Sequence, residues 1–278
     1  MRDQAAMLRA AAPARDGGAG EAAGAIVVGS GKGGVGKSTL SVLIAASLAR
    51  AGHRTLLVDG AQNMGNLHIL LGVRPATPLA ALHAGEAEPG ELVMPVAERL
   101  ALLPGDSGAE SLYALGAIDR ARLHHRLSTV FDAFDRVVVD GGPGLESVVR
   151  AAGIRASRLV VLTAPEPAAL ADAYALLKIV NLQLPAVPLE VMVNRVSADE
   201  EGQAVFERLN LAADRFLRRT LAYLGCVRED EAMRMGSRRP GALLEMEHAG
   251  IDAIAARLGA GAAADADGSG TDTRGLAA

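Results

Sequence analysis

The sequence predicts an α/β fold: a single domain with a mostly parallel twisted sheet of about seven or eight strands and helices on both faces. Short apolar runs alternate with helix-length stretches along the body of the chain, the pattern of a parallel sheet covered on both sides. The runs are near-continuously apolar, as strands buried on both faces are. Residues of distinctive chemistry fall where those runs end, which is where such sheets bind their ligands.

The first strand is "AIVVGS" (25–30), and the helix after it, "STLSVLIAASLARAG", puts Leu40, Leu43, Ile44 and Leu48 on one face. Gly52 stands where a helix C-terminal cap belongs. "RTLLVD" (54–59) is the second strand and "RLALLPG" (99–105) the next, followed by a helix over about 119–132. "RVVVD" (136–140) leads into a helix from about 145, and "RLVVLTA" (158–164) into a helix over 168–180. The strand "LEVMVN" (189–194), a helix over about 200–217 and the strand "TLAYLG" (220–225) complete the series. Two more helices follow, separated by Pro240 and Gly241. Residues 1–24 read as a short arm and an Ala/Gly-rich linker, 25–258 as the folded domain, and 259–278 as a low-complexity, disordered tail.

Bulk composition narrows the function. A hydrophobic fraction of 50% suffices for a core, while a net charge of −4 creates no global field for nucleic acid or anionic lipid. Aromatic residues are 3% of the chain and Trp is absent, which argues against base-stacking platforms. Cys226 is the only cysteine, so no internal disulfide or intrachain paired-thiol site is possible, and a reducing cytosol fits. The six histidines show no ligand spacing; His124 and His125 are adjacent and point apart on a helix. No apolar run has the length of a membrane span, and the start lacks the apolar core of a signal peptide.

Between the first strand and its helix lies "GSGKGGVGKSTL" (29–40). Gly31, Gly36, Lys37 and Ser38 satisfy G-x-x-x-x-G-K-[ST] in the strand–helix context that motif requires. Gly31, Gly33, Gly34, Val35, Gly36, Lys37, Ser38 and Thr39 are the candidate nucleotide-binding residues. Glycines let backbone N–H groups curl round phosphates, and the helix start adds its positive dipole. Lys37 would reach the β- and γ-phosphates, and the Ser38 hydroxyl would ligate Mg²⁺. Asp140, ending an apolar strand, is the candidate carboxylate on the Mg²⁺ side, and "GGPG" (141–144) follows it. A strand-terminal aspartate such as Asp140 is often only a helix cap, but beside this loop the metal role is favoured; Asp59, ending the second strand, is a third candidate carboxylate near the metal.

"KGGVGKS" (32–38) carries a second lysine and resembles the deviant Walker A loop of the MinD/ParA family of ATPases. The resemblance implies that ATP and Mg²⁺ are bound and that two subunits sandwich two nucleotides. Lys32 would cross the interface to the neighbour's phosphates. It extends over residues 3 to 258 and is closest to the flagellar-number regulators, the FlhG/FleN branch, also called YlxH. "TAPEPAALADAYALLKIV" (163–180) is similar to that branch's segment after the fourth core strand. "MVNRV" (192–196) matches the strand end whose asparagine, here Asn194, would hydrogen-bond adenine. "REDEAMR" (228–234) resembles the late D-E-A-V-R stretch, with Arg228 replacing a proline beside the base. "DQAAMLR" (3–9) looks like the branch's N-terminal element, which engages a GTPase of the signal-recognition-particle type, FlhF. Asp3, Gln4, Ala5, Leu8 and Arg9 would form that contact.

Two departures matter. Where the branch reads D-A-D-L-G-L-A-N, this chain has "DGAQNMGN" (59–66), so the water-orienting aspartate is Ala61 and a glycine is Asn63. Alanine has no acceptor, which predicts an ATPase with weak turnover; the adjacent Gln62 is the alternative residue to position a water. In "GALLEMEHAGIDAIAARL" (241–258), Leu244, Ile251, Ile254 and Leu258 form a stripe flanked by Glu245, Glu247 and Asp252, with Arg257 the only arginine or lysine. Such a face suits packing on the body better than anionic lipid.

The expected function is an ATP-dependently dimerising regulator of flagellar number or placement that acts on a GTPase partner and turns ATP over slowly. Flagellar switch (C-ring) proteins or a flagellar transcription activator are further partners the resemblance implies. The expected location is cytoplasmic, with peripheral contact at the inner membrane or cell pole left open, and direct nucleic-acid binding is not expected. A ParA-type partitioning ATPase acting on DNA or another cargo is the alternative, but Arg218–Arg219 and Arg238–Arg239 make too small a basic surface to indicate DNA. A single cysteine disfavours an iron–sulfur carrier, whose subunits share a cluster through paired thiolates. No glutaminase domain accompanies the chain to suggest an amidotransferase-like synthetase.

Overall fold

The computed structural model describes residues 24–60, 65–105, 116–142, 144–152 and 155–260. The expected arm with Asp3, Gln4, Ala5, Leu8 and Arg9, the loop positions Ala61 and Gln62, and nearly all of the expected tail lie outside them. In chain order the elements are β1 (Ala25–Gly29), α1 (Lys37–Arg50), β2 (Thr55–Asp59), α2 (Leu67–Leu71), α3 (Leu79–Ala84), β3 (Met94–Ala97), β4 (Leu100–Leu103), α4 (Ala117–Ser128) and β5 (Arg136–Asp140). Then come α5 (Leu145–Ala152), β6 (Ala156–Thr163), α6 (Pro167–Gln183), β7 (Leu189–Val196), α7 (Asp199–Leu217), β8 (Ala222–Arg228), α8 (Glu231–Gly236) and α9 (Ala249–Gly259).

The eight strands form one sheet in the order β3-β4-β2-β5-β1-β6-β7-β8. Every pairing is parallel except β3–β4. Each central strand alternates its side chains between two buried layers. Val27, Val137, Val139, Leu159 and Val161 face one core, and Ile26, Val28, Val138, Val160 and Leu162 face the other. This double burial explains why the strands read as unbroken apolar runs. α5, α6 and α7 cover the first layer, and α1 and α9 the second.

The seven expected strands are present, with ends displaced by a few residues. β3 is additional. It is four residues long, alternately half-buried and exposed, and contains Pro95, which cannot donate to a ladder and is tolerated at a sheet edge. The short helices α2 and α3 also add to the expected set; five and six residues are too few for a period to declare itself.

α1 differs instructively from its one-faced expectation. Leu40 through Ala49 are all buried, because α9 covers the flank that faces away from the sheet. Asp252 of α9 accepts from Ser47 Oγ at 2.5 Å and from Arg50 Nη2 at 3.2 Å. Ile251, Ile254, Ala255 and Leu258 are buried, so the C-terminal stripe packs on the body as its charge pattern suggests. Arg257, the one arginine or lysine of that stretch, donates to the Leu224 carbonyl at 2.7 Å. Among the described residues no helix is long and apolar enough to cross a membrane. Gly52, at φ +97°, closes α1 as expected, its N–H donating to the Ala49 carbonyl at 2.9 Å.

Candidate functional site

The parallel strands β2, β5, β1, β6 and β7 all end on the same edge of the sheet, and the loop from Ser30 to Gly36 rises from the middle of it. Its shape depends on glycine in two places. Gly36 has φ +94°, and a Cβ there would lie 2.5 Å from the Asn194 carboxamide nitrogen. Gly31 passes so close to α6 that a Cβ would lie 2.0 Å from the Asp172 carbonyl oxygen. Gly33 and Gly34 are exposed, with nothing within 4 Å of where a Cβ would stand. One wall of the loop is therefore packed and the other open. Lys32 lies on this open part, half-buried, its carbonyl accepting from Ser30 Oγ at 2.9 Å.

α1 begins at Lys37 with no side chain capping its N-terminus and no acidic residue in its first turn. The first N–H groups of a helix carry a partial positive charge, so this end is suited to an anion. Ser38 and Thr39 are half-buried in that first turn. Lys37 Nζ forms a short ion pair with Asp140 Oδ1, with the side chains 11% and 2% exposed. Removing one partner of such a pair generally costs about 3–5 kcal/mol, because the other charge is left buried.

Asp140 lies opposite both Asp59 and Val28 in the parallel registers of β5. Both carboxylates are buried, at 6% for Asp59 and 2% for Asp140. Asp59 accepts from the Leu67 N–H at 3.0 Å, so it also fixes the start of α2. Two carboxylates on adjacent strand ends and a serine hydroxyl at a helix start form the hard-oxygen donor set that Mg²⁺ takes alongside phosphate.

On the other flank, Asn194 is buried at the end of β7 and its Nδ2 donates to the Val35 carbonyl at 2.8 Å. The structure thus brings the residue expected to meet adenine against the phosphate loop itself. Arg195, not among the residues expected at the site, donates from Nη2 to the Gly34 carbonyl at 2.7 Å. A strand-terminal Asn-Arg pair was its only local signal. Arg228, where relatives are expected to carry proline, pairs with Asp199 at 3.0 Å, and this contact holds the Asp199 carboxyl below its usual range. Glu166 and Pro167 start α6 in the arrangement the P-E-P turn suggests, with Pro in its first turn.

Residues 23–185 match a family model described as an AAA domain. Over 220 residues, 79% of each chain, the sequence is 32% identical to the antiactivator FleN of Pseudomonas aeruginosa. It is 33% identical to the flagellum site-determining protein YlxH of Helicobacter pylori over 212 residues, 75% of this chain and 71% of that one. Among solved structures, the septum site-determining protein MinD of Pyrococcus horikoshii, complexed with Mg-ADP, superposes with a TM-score of 0.68. That match covers 85% of this chain and 96% of the other at 22% identity, a likeness of fold.

The uneven packing of the loop separates its glycines by consequence. Gly31→Ala and Gly36→Ala should each weaken ADP binding by about tenfold or more, since strain of about 1–3 kcal/mol must be relieved by moving the loop. Gly33→Ala should change it by about twofold at most, as an ordinary surface substitution does. Titration with a fluorescent ADP analogue checks the contrast; equal losses at all three positions would contradict it.

Proposed function

The chain belongs to the MinD/ParA family of P-loop ATPases, in the branch of the flagellar regulators FleN and YlxH, and on that premise we propose that it is an ATP-switched regulator of flagellar number and placement. It binds ATP·Mg²⁺ in the Ser30–Thr39 loop, dimerises across that loop and acts through partner proteins. The observation that carries this reading is the loop's division into a packed wall, from Gly31 to Asp172 and from Val35 to Asn194, and an open rim at Lys32–Gly34. The packed wall supports binding by the subunit itself. The rim leaves Lys32 where a second subunit can approach, and similarity to FleN and YlxH favours this regulator over a partitioning ATPase.

In this reading Lys37 leaves Asp140 for the triphosphate, a stronger and multiply charged acceptor. Asp140, Asp59 and the Ser38 hydroxyl would hold Mg²⁺. The metal would supply charge neutralisation across the β- and γ-phosphates. Asn194 holds the loop through Val35, and the resemblance gives it the further role of hydrogen-bonding adenine. Ala61 offers no acceptor for an attacking water, so turnover is slow and the ATP-bound dimer persists. Asp3, Gln4, Ala5, Leu8 and Arg9 form the contact to a GTPase partner of the signal-recognition-particle type.

Three tests bear on separate parts of this reading. Lys32→Ala should bind ATP as wild type does but sediment as a monomer where wild type is dimeric; an unchanged dimer overturns the shared-nucleotide arrangement. Ala61→Asp, alone or with Asn63→Gly, should raise single-turnover hydrolysis by about tenfold to a thousandfold, the range that positioning and general-base groups supply. Fast wild-type hydrolysis that is lost in Gln62→Ala would instead assign the water to Gln62. Deleting residues 3–9 should leave ATP binding intact and abolish both co-purification with the GTPase and its stimulation; full stimulation by the truncated protein removes the arm from the mechanism.

A further inference from the structure

Two consecutive residues at the end of β7 hold two consecutive carbonyls of the phosphate loop. Arg195 Nη2 donates to the Gly34 carbonyl at 2.7 Å, and Asn194 Nδ2 to the Val35 carbonyl at 2.8 Å. Arg195 does so from a left-handed backbone, φ +60°, a conformation that side chains other than glycine seldom adopt. The contact spans 161 positions of sequence and is made by an exposed side chain whose charge goes to a neutral carbonyl.

A trans peptide places its C=O and N–H on opposite sides, and the described residues contain no cis bond. Drawing the Gly34 carbonyl toward β7 therefore turns the Val35 N–H away from β7. Drawing the Val35 carbonyl the same way turns the Gly36 N–H with it. In the sheet order β7 lies on one side of β1 and β5 on the other, so these N–H groups turn toward the side of Lys37 and Asp140. The positive φ of Gly34 and Gly36, +82° and +94°, allows both peptides to be turned in this way. Successive N–H groups converging from such a turn form an anion-binding nest.

We propose that Arg195 is a positioning residue for the phosphates: by clasping the Gly34 carbonyl it presets the Val35 N–H to donate to a bound phosphate oxygen. This rests on the nucleotide-binding reading above and adds to it a residue that does not itself touch phosphate. Asn194 performs the same service for the Gly36 N–H and ties the base side of the site to the phosphate side. Loss of the Arg195 clasp leaves the loop free to sample conformations in which that donor points elsewhere, and phosphate affinity falls by the fraction of time it does so.

The test uses Arg195→Gly, which removes the guanidinium while suiting the left-handed backbone, and Arg195→Lys, which restores a donor on a shorter reach. Calorimetric titration of the full chain with ADP should show about a tenfold loss for Arg195→Gly, the equivalent of one charge-assisted hydrogen bond, and partial recovery for Arg195→Lys. The melting temperature of Arg195→Gly should be equal to or above that of wild type, because glycine relieves the backbone. In amide NMR spectra of the ADP complexes, the Val35 and Gly36 resonances should shift less on ligand binding in Arg195→Gly than in wild type. Wild-type affinity and unchanged amide shifts in Arg195→Gly would overturn the clasp. Failure of wild type itself to bind ADP, with Lys37→Ala indistinguishable from it, would instead remove the nucleotide reading on which the clasp rests.

Discussion

The ion pair between Lys37 and Asp140 sets the terms for everything around it. The lysine and aspartate are almost wholly buried and each compensates the other's charge, and each comes from a different stretch of chain. Their meeting requires β5 to lie beside β1, and it requires the loop after β1 to fold back so that α1 starts over the end of β5. Glycines make this approach possible. A Cβ on Gly60 would lie 2.5 Å from the Asp140 carbonyl oxygen, and one on Gly141 would lie 2.8 Å from that of Val28. The Gly60 and Gly141 N–H groups donate to those same two carbonyls at 2.9 Å. The ends of β2, β5 and β1 are thus laced by backbone hydrogen bonds beneath the charged pair, which gives the carboxylates little freedom to drift.

Much of this could be read from the chain alone, and the reasons are local. Strands buried on both faces declare themselves as apolar runs, and the glycine-lysine-serine loop announces its position between a strand and a helix. What could not be read is set by contacts between distant segments. The all-round burial of α1 follows from α9, which ends more than two hundred residues later. The necessity of Gly31 follows from the path of α6, which brings the Asp172 carbonyl to it, and nothing near Gly31 in sequence foretells that. Asp59 could be read only as a strand-end carboxylate, because the backbone N–H it accepts from lies eight residues on; the structure shows it fastening α2 while lying opposite Asp140. β3 escaped because four half-exposed residues with a proline carry no periodic signature.

The loop's asymmetry gives the fold a division of labour. Its inner wall is held by α6 and by Asn194 and Arg195 of β7, so much of the backbone geometry that would receive phosphate exists before any ligand arrives. Preorganisation of this kind lowers the ordering cost of binding, which would otherwise fall on the nucleotide. The rim is different. Gly33 and Gly34 are exposed, with open space where a Cβ would stand, and the Lys32 carbonyl beside them accepts from Ser30 Oγ. A charge on an unpacked rim contributes most when a second surface closes over it and excludes water, since screening by solvent otherwise weakens it.

That division bears on how a switch built on this chain keeps time. On the proposed reading, binding is provided for by the packed wall and closure by whatever meets the rim; the lifetime of the closed state then depends on how quickly the bound nucleotide is cleaved or released. With alanine at position 61, the loop after β2 supplies no carboxylate there to orient water. On the proposed reading, cleavage is then no longer the fast exit from the closed state. Either nucleotide dissociation or a group brought by a partner sets the rate, and a partner-supplied group acting on a preorganised site can give a large acceleration because the phosphates are already held. The closed state would then report on the presence of that partner more than on elapsed time, which suits a protein that matches the number of a structure to the components available to build it.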